Sequence, residues 1–253
     1  MKMFYALYRK ELSGARNTFL TLLGLIFGFD VFLTFRIKSL GYNLVFGLSF
    51  LPLAFLCFWG IFRPLALTRG EWKEGTAPFL RSLPVDGWRI LGAKLLAAFT
   101  EWVGLNLATF LLSGLFYAAA PLFGAERLPL MKVTSWTETL KLMMMIGLTY
   151  VIGILLGAVI CQLSFLLGRL VNRFTGLVSL ASTILLVYLT SKGSELLAEI
   201  LTFLPFISIE DPSPNLDIRL LQSASFSVSL ALLIEFTLLF FVSGWVMEKK
   251  VEF

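Results

Sequence analysis

Six long stretches of the chain carry almost no charge, and polar segments separate them. An α-helix rises about 1.5 Å per residue and the hydrocarbon core of a bilayer is about 30 Å thick, so about 20 mostly apolar residues suffice to cross it. The runs at residues 18–35, 42–62, 95–120, 142–168, 174–191 and 225–247 approach or meet that length. The first and fifth are short and draw on flanking residues to complete the span. The pattern therefore predicts an all-α, polytopic membrane protein, a single transmembrane domain over residues 1–253 with six transmembrane helices.

Three segments outside the spans have their own periodicity. In residues 3–16, Phe4, Leu7, Tyr8, Leu12 and Ala15 recur at helical spacing with Arg9, Lys10 and Glu11 between them. This predicts an N-terminal amphipathic helix lying in the interface before the chain turns into the first span, with a plain cytoplasmic tail as the alternative. Residues 194–205 are too few to span, and Glu195 and Glu199 share a helical face, which predicts a short extracellular helix, interfacial or re-entrant. The stretch 63–94 is the longest polar interruption. Within it Pro78 can open a short helix, Phe79, Leu80 and Leu83 give that helix an apolar face, and Pro84 closes it. Asp86 can cap the next helix, which begins near Trp88 and runs on into the third span. The short helix cannot bury its face within so small a loop. It either docks on a cytosolic partner or rests on the bilayer, and both readings stay open at the level of physics.

Composition changes this picture little. The chain is 58% apolar and 15% charged, against about 45–50% and 25% in soluble domains. The net charge of +5 fits loops beside anionic lipid rather than a nucleic-acid groove, because no basic cluster sits in a soluble domain of sufficient size. Fourteen of the 21 Lys and Arg residues fall on the side of the N-terminus, the 63–94 stretch, the Arg169/Arg173 link and the C-terminus. The positive-inside rule then places both termini in the cytoplasm, in a multi-pass protein of the cell membrane. The N-terminus shows no small-residue cleavage site, so it is read as retained.

Chemistry within the chain is sparse. There is no His, hence neither the commonest general base nor the commonest metal ligand. Cys57 and Cys161 lie apart in apolar stretches and read as small buried hydrophobes. A phosphate-cradling loop needs G-x-x-x-x-G-K-[ST]; the run from Gly70 to Gly75 is followed by Thr76 and lacks the Lys. No G-x-S-x-G or H-E-x-x-H occurs. We expect no catalytic residues, no metal and no enzyme in this chain. Asp30, Glu101 and Glu235 fall inside the predicted spans, where an ionised carboxylate costs about 2.5–3.5 kcal/mol at the helix centre, so each faces a cavity or a partner. Either they line a pathway, where Glu235 could neutralise a cationic substrate, or they are protonated or hydrogen-bonded packing residues. Gly24-x-x-x-Gly28 and Gly153-x-x-x-Gly157 permit close helix contact, and Pro52 is expected to kink span two.

The cytoplasmic segment carries a resemblance. Glu71, Glu74, Gly75, Thr76, Leu80, Ser82, Leu83 and Pro84, followed by Trp88, Ile90, Leu91 and Lys94, are similar to the E-x-x-x-G-T-x-x-x-L-x-S-L-P and I-L-x-x-K-L pattern of permease subunits of ABC-2 type transporters. The RKEL run at Arg9–Leu12 and WVMEKKVE at residues 245–252 resemble the ends of that family. The resemblance implies that Glu71, Glu74, Gly75, Thr76, Phe79, Leu80, Ser82, Leu83 and Pro84 form a coupling helix and its approach, docked on a separate nucleotide-binding ATPase dimer. That partner binds ATP and Mg, and this chain holds no cofactor. A second permease subunit, identical or paralogous, completes the translocation pathway. The apolar, aromatic wall leans towards a lipophilic or amphipathic substrate such as a drug, peptide or lipid, and export is the direction the family implies. The alternatives are an ATP-independent secondary transporter, which predicts inverted repeats that the two halves do not show, and a non-transporting scaffold or sensor.

Overall fold

The computed structural model describes residues 2–76, 85–123, 136–171, 174–201 and 226–249. Regular structure among them is entirely helical: α1 (Lys2–Leu40), α2 (Tyr42–Leu48), α3 (Leu51–Lys73), α4 (Gly87–Ala118), a 3₁₀ turn (Ala120–Phe123), α5 (Trp136–Arg169), α6 (Thr175–Ile200) and α7 (Phe226–Lys249). Six helical stretches are long and apolar enough to cross a membrane: α1, Tyr42–Lys73 (α2 with α3), α4, and segments of α5, α6 and α7. This is the architecture of a multi-pass membrane protein. Phe35, Leu111, Leu180 and Ile184 are among the many large apolar side chains left exposed, a surface that only lipid or another membrane helix can solvate.

The helices extend the predicted spans in informative ways. The amphipathic segment and the first span are joined in one 39-residue helix, about 58 Å long at 1.5 Å per residue. Between Arg16 and Thr18 there is neither Pro nor Gly to stop propagation, so the helix continues. Gly41, at φ +81°, ends it by donating its N–H to the carbonyl of Ile37 at 2.9 Å, a left-handed stop that a side chain disfavours. The expected kink in span two is a break between α2 and α3. Ser49, buried, donates its hydroxyl to the Phe46 carbonyl at 2.7 Å, and Pro52 occupies the second position of α3, where no intrahelical N–H is required. Pro64, by contrast, lies inside α3. The predicted outer helix at 194–205 is, over its described part, the end of α6.

The chain divides into two compact units, one of Met1–Arg63 with Ala93–Lys132 and one of Pro64–Gly92 with Val133–Phe253. In the first, Leu33, Val45, Leu56, Ala97 and Leu105 are buried. The Trp102 indole N–H donates to the Leu56 carbonyl at 2.9 Å, and the Tyr42 hydroxyl donates to that of Phe116 at 2.5 Å. In the second, α5 packs against both α6 and α7. Its buried face of Ile152, Leu156, Val159, Leu163 and Leu166 follows the 3.6-residue period. The hydroxyls of Thr149 and Ser229 meet at 2.7 Å and pin α5 to α7.

Candidate functional site

The residues singled out in the sequence fall into two groups, those around the 63–94 stretch and the carboxylates within spans. The stretch begins on α3 and is held there by polar contacts within the second unit. Gln162, 1% exposed on α5, donates to the Thr68 hydroxyl at 3.1 Å and to the Pro64 carbonyl at 3.4 Å, and Thr68 donates to the same carbonyl at 2.8 Å. One turn on, the Trp72 ring meets Phe165 edge to face with centroids 5.4 Å apart.

The Glu71, Gly75 and Thr76 of the recognised pattern build the stop of α3. Gly75 adopts φ +70°, the Thr76 N–H reaches back to the Glu71 carbonyl at 3.0 Å, and the Gly75 N–H to that of Trp72 at 3.4 Å. This is the six-to-one bonding of a Schellman cap, which a left-handed glycine makes possible. The Thr76 hydroxyl also bonds the Glu71 carboxylate. The run from Gly70 to Gly75 is thus a helix end rather than a phosphate cradle, and Glu74 sits in its final turn. Phe79, Leu80, Ser82, Leu83 and Pro84 lie outside the described residues.

Past the stretch, Asp86 precedes α4 as expected. Its carbonyl accepts the N–H of Arg89 at 3.0 Å, and its carboxylate pairs with the Arg89 side chain at 3.0 Å. The start of α4 lies directly on α7. A Cβ at Gly87 would collide with the Gly244 carbonyl oxygen and lie 3.3 Å from the Glu248 nitrogen; one at Gly244 would lie 2.6–2.9 Å from Trp88 atoms. Two glycines facing each other let the backbones touch.

In the first unit the RKEL segment and the continuation after the loop meet. Glu11 Oε1 and Lys94 Nζ stand 2.6 Å apart, with side chains 10% and 2% exposed. The Tyr8 and Thr100 hydroxyls lie at 3.1 Å, and Gly104 makes room for the Phe19 ring. One turn away Glu101 binds Arg63 Nε at 2.8 Å, both largely buried, with the Arg63 guanidinium 5.3 Å from the Trp59 ring centroid. A groove of about 510 Å³ opens beside this cluster, lined by Arg9, Arg16, Phe19, Thr100 and Glu101 among others. No protein-family model, curated protein or solved structure matches the chain.

The three span carboxylates are all buried, at 5% exposure for Asp30, 2% for Glu101 and 7% for Glu235. Only Glu101 has a charged partner among the described residues, and it is Arg63, a residue that the basic-residue count assigned to the loop. Both Asp30 carboxylate oxygens lack a hydrogen-bond partner, and the residue lines a cavity of about 230 Å³. Glu235 Oε2 is likewise without a partner. Its other oxygen lies where Gly193 of α6 leaves space, 2.5 Å from the position a Cβ would take. The clash is with the tip of a flexible side chain, which can turn aside, so Gly193→Ala should cost about 1 kcal/mol or less, the low end of overpacking, and Glu235→Ala should remove that cost. Unfolding of the four-member cycle in detergent measures the coupling; additive losses would mean the two residues do not share this space.

Sequence reasoning did not single out Arg63, Gln162, Gly193 or Gly244 as site residues. Arg63 alone left a trace, since a carboxylate within a span calls for a basic partner. Gly24, Gly28 and Gly153 have nothing within 4 Å of a built Cβ, so the small-residue spacing of α1 and α5 does not serve packing against the described residues at those positions.

Proposed function

We propose that this chain is the membrane-spanning permease subunit of an ATP-driven exporter of the ABC-2 type, coupled to a separate ATPase through the stretch around residues 78–84. The observation that carries the reading is the buried Glu11–Lys94 pair, 83 residues apart in sequence. It joins two of the segments that resemble the family, the RKEL run and the continuation after the loop. The third, at the C-terminus, is adjacent to the loop as well, since Gly87 touches α7 at Gly244 and Glu248. The loop is thus bracketed by fixed points: a capped helix end tied to α5 before it, and a glycine contact with α7 after it. A segment anchored at both ends transmits displacement to the spans, whereas a slack loop would absorb it. In this reading the loop and both termini are cytoplasmic, the ATPase dimer binds ATP and Mg, a second permease subunit completes the pathway, and the cargo is lipophilic or amphipathic.

Affinity purification of the full chain in mild detergent tests the proposal. The chain is expected to bring down a soluble ATPase with a Walker A lysine, and replacement of residues 78–84 by a Gly/Ser linker is expected to abolish that recovery while the variant still reaches the membrane. A wild-type chain recovered without an ATPase, or a linker variant that retains it undiminished, overturns the reading.

A further inference from the structure

The cavity beside Asp30 has a composition that the permease reading leaves unused. Asp30 is 5% exposed, and neither carboxylate oxygen has a hydrogen-bond partner among the described residues. The Thr34 hydroxyl, which also lines the cavity, is turned to the Asp30 backbone carbonyl at 2.9 Å and so does not neutralise the carboxylate. The remaining wall is apolar and aromatic, with Phe27, Phe116 and Phe123 from three separate elements and Leu112 among them. Among the described residues no cationic side chain contributes to the lining. Arg36, six residues beyond Asp30 on the same helix, stacks on Phe32 at 5.5 Å instead.

A buried carboxylate is normally paired, and burial of an unpaired charge is expensive. Here the protein offers it an open groove walled by aromatic side chains. Ring faces carry negative potential, so they repel an anion and attract a cation, most strongly a weakly hydrated organic ammonium. A hydrated metal ion is poorly suited, because the cavity supplies one carboxylate and almost no other oxygen ligands. The volume of about 230 Å³ is below the range of about 300–1,000 Å³ that holds drug-sized ligands, which limits the occupant to a compact head. We propose that this cavity is a binding site for a compact organic cation, an ammonium group on a small apolar or aromatic body, with Asp30 as its counter-ion and the phenylalanines as its wall. The site does not depend on the permease reading, and its test needs no ATPase.

The probe is radiolabelled benzyltrimethylammonium, measured on the full chain in nanodiscs of zwitterionic lipid. Saturable binding is expected, displaced by excess unlabelled cation and not by its neutral isostere neopentylbenzene. Asp30→Asn keeps the shape and removes the charge, and should weaken binding at least tenfold without lowering the melting temperature. Phe116→Ala should weaken it several-fold with Asp30 intact. Absence of saturable binding to the wild type overturns the proposal, as does unchanged affinity in Asp30→Asn. So does displacement by the neutral isostere equal to that by the cation.

Discussion

Arg63→Ala is expected to destabilise the protein by about 3–5 kcal/mol, the loss typical when one partner of a buried ion pair is removed. Arg63 and Glu101 have side chains 12% and 1% exposed, so a Glu101 left alone has almost no access to water. The second Glu101 oxygen has no hydrogen-bond partner among the described residues, which makes the arginine its main source of compensation. Glu101→Ala should cost less, because the guanidinium keeps its place over Trp59 at 5.3 Å and a long side chain can carry its charge towards an interface. Replacing both by apolar residues, Arg63→Met with Glu101→Leu, should recover most of the loss, since the expense lies in the orphaned charge rather than in the missing attraction. Unfolding in mixed micelles reads all four proteins. A loss below about 1 kcal/mol for Arg63→Ala would be that of a solvated pair and would remove this bridge from the account of the first unit.

The same pair shows what hydropathy can and cannot carry. Spans were legible because lipid imposes one rule on every residue of a helix, and an unbroken apolar run satisfies that rule visibly. The start of α4 was legible too, since Asp86 and the residues after it are local. The union of residues 3–16 with the first span was harder to read. An amphipathic stretch looks like a separate element until one asks what would end it, and between Arg16 and Thr18 nothing does. Span two was read as ending at residue 62, before Pro64, whereas α3 runs through that proline to Lys73, and the added turns are held by Gln162, about a hundred residues later. Pairings of that kind, like Glu11 with Lys94 or Gly193 with Glu235, are set by which helices are neighbours. Periodicity along one helix holds no record of its neighbour's register. The carboxylates were found as anomalies, and their surroundings could not be. Glu101 turned out to be paired and Asp30 to line an apolar cavity, though both looked alike in sequence.

The glycine contact between α4 and α7 carries the second large effect. Gly244→Leu should destabilise the protein by about 3 kcal/mol, the upper end of the usual overpacking penalty. A Cβ at residue 244 would meet the backbone nitrogen and Cα of Trp88 at 2.9 and 2.8 Å, and backbone atoms cannot turn aside as a side chain tip can. Even Gly244→Ala should be harmful, because its single methyl already lies inside that distance. Gly114→Ala and Gly147→Ala serve as opposite controls. Both glycines are inside helices with nothing within 4 Å of a built Cβ, so alanine there should gain about 0.5–1 kcal/mol through the backbone alone. The sign of the change, rather than its size, thus separates contact from propensity. A Gly244→Ala protein as stable as these controls would show that α4 and α7 do not touch at this point. This contact locks the start of the helix that follows the loop to the last span, so Gly244→Ala should blunt any response of the spans to a partner on the loop more than it reduces binding of that partner. Comparing partner recovery with partner ATPase stimulation in the same preparation separates the two. Equal losses in both would assign the glycines to stability alone.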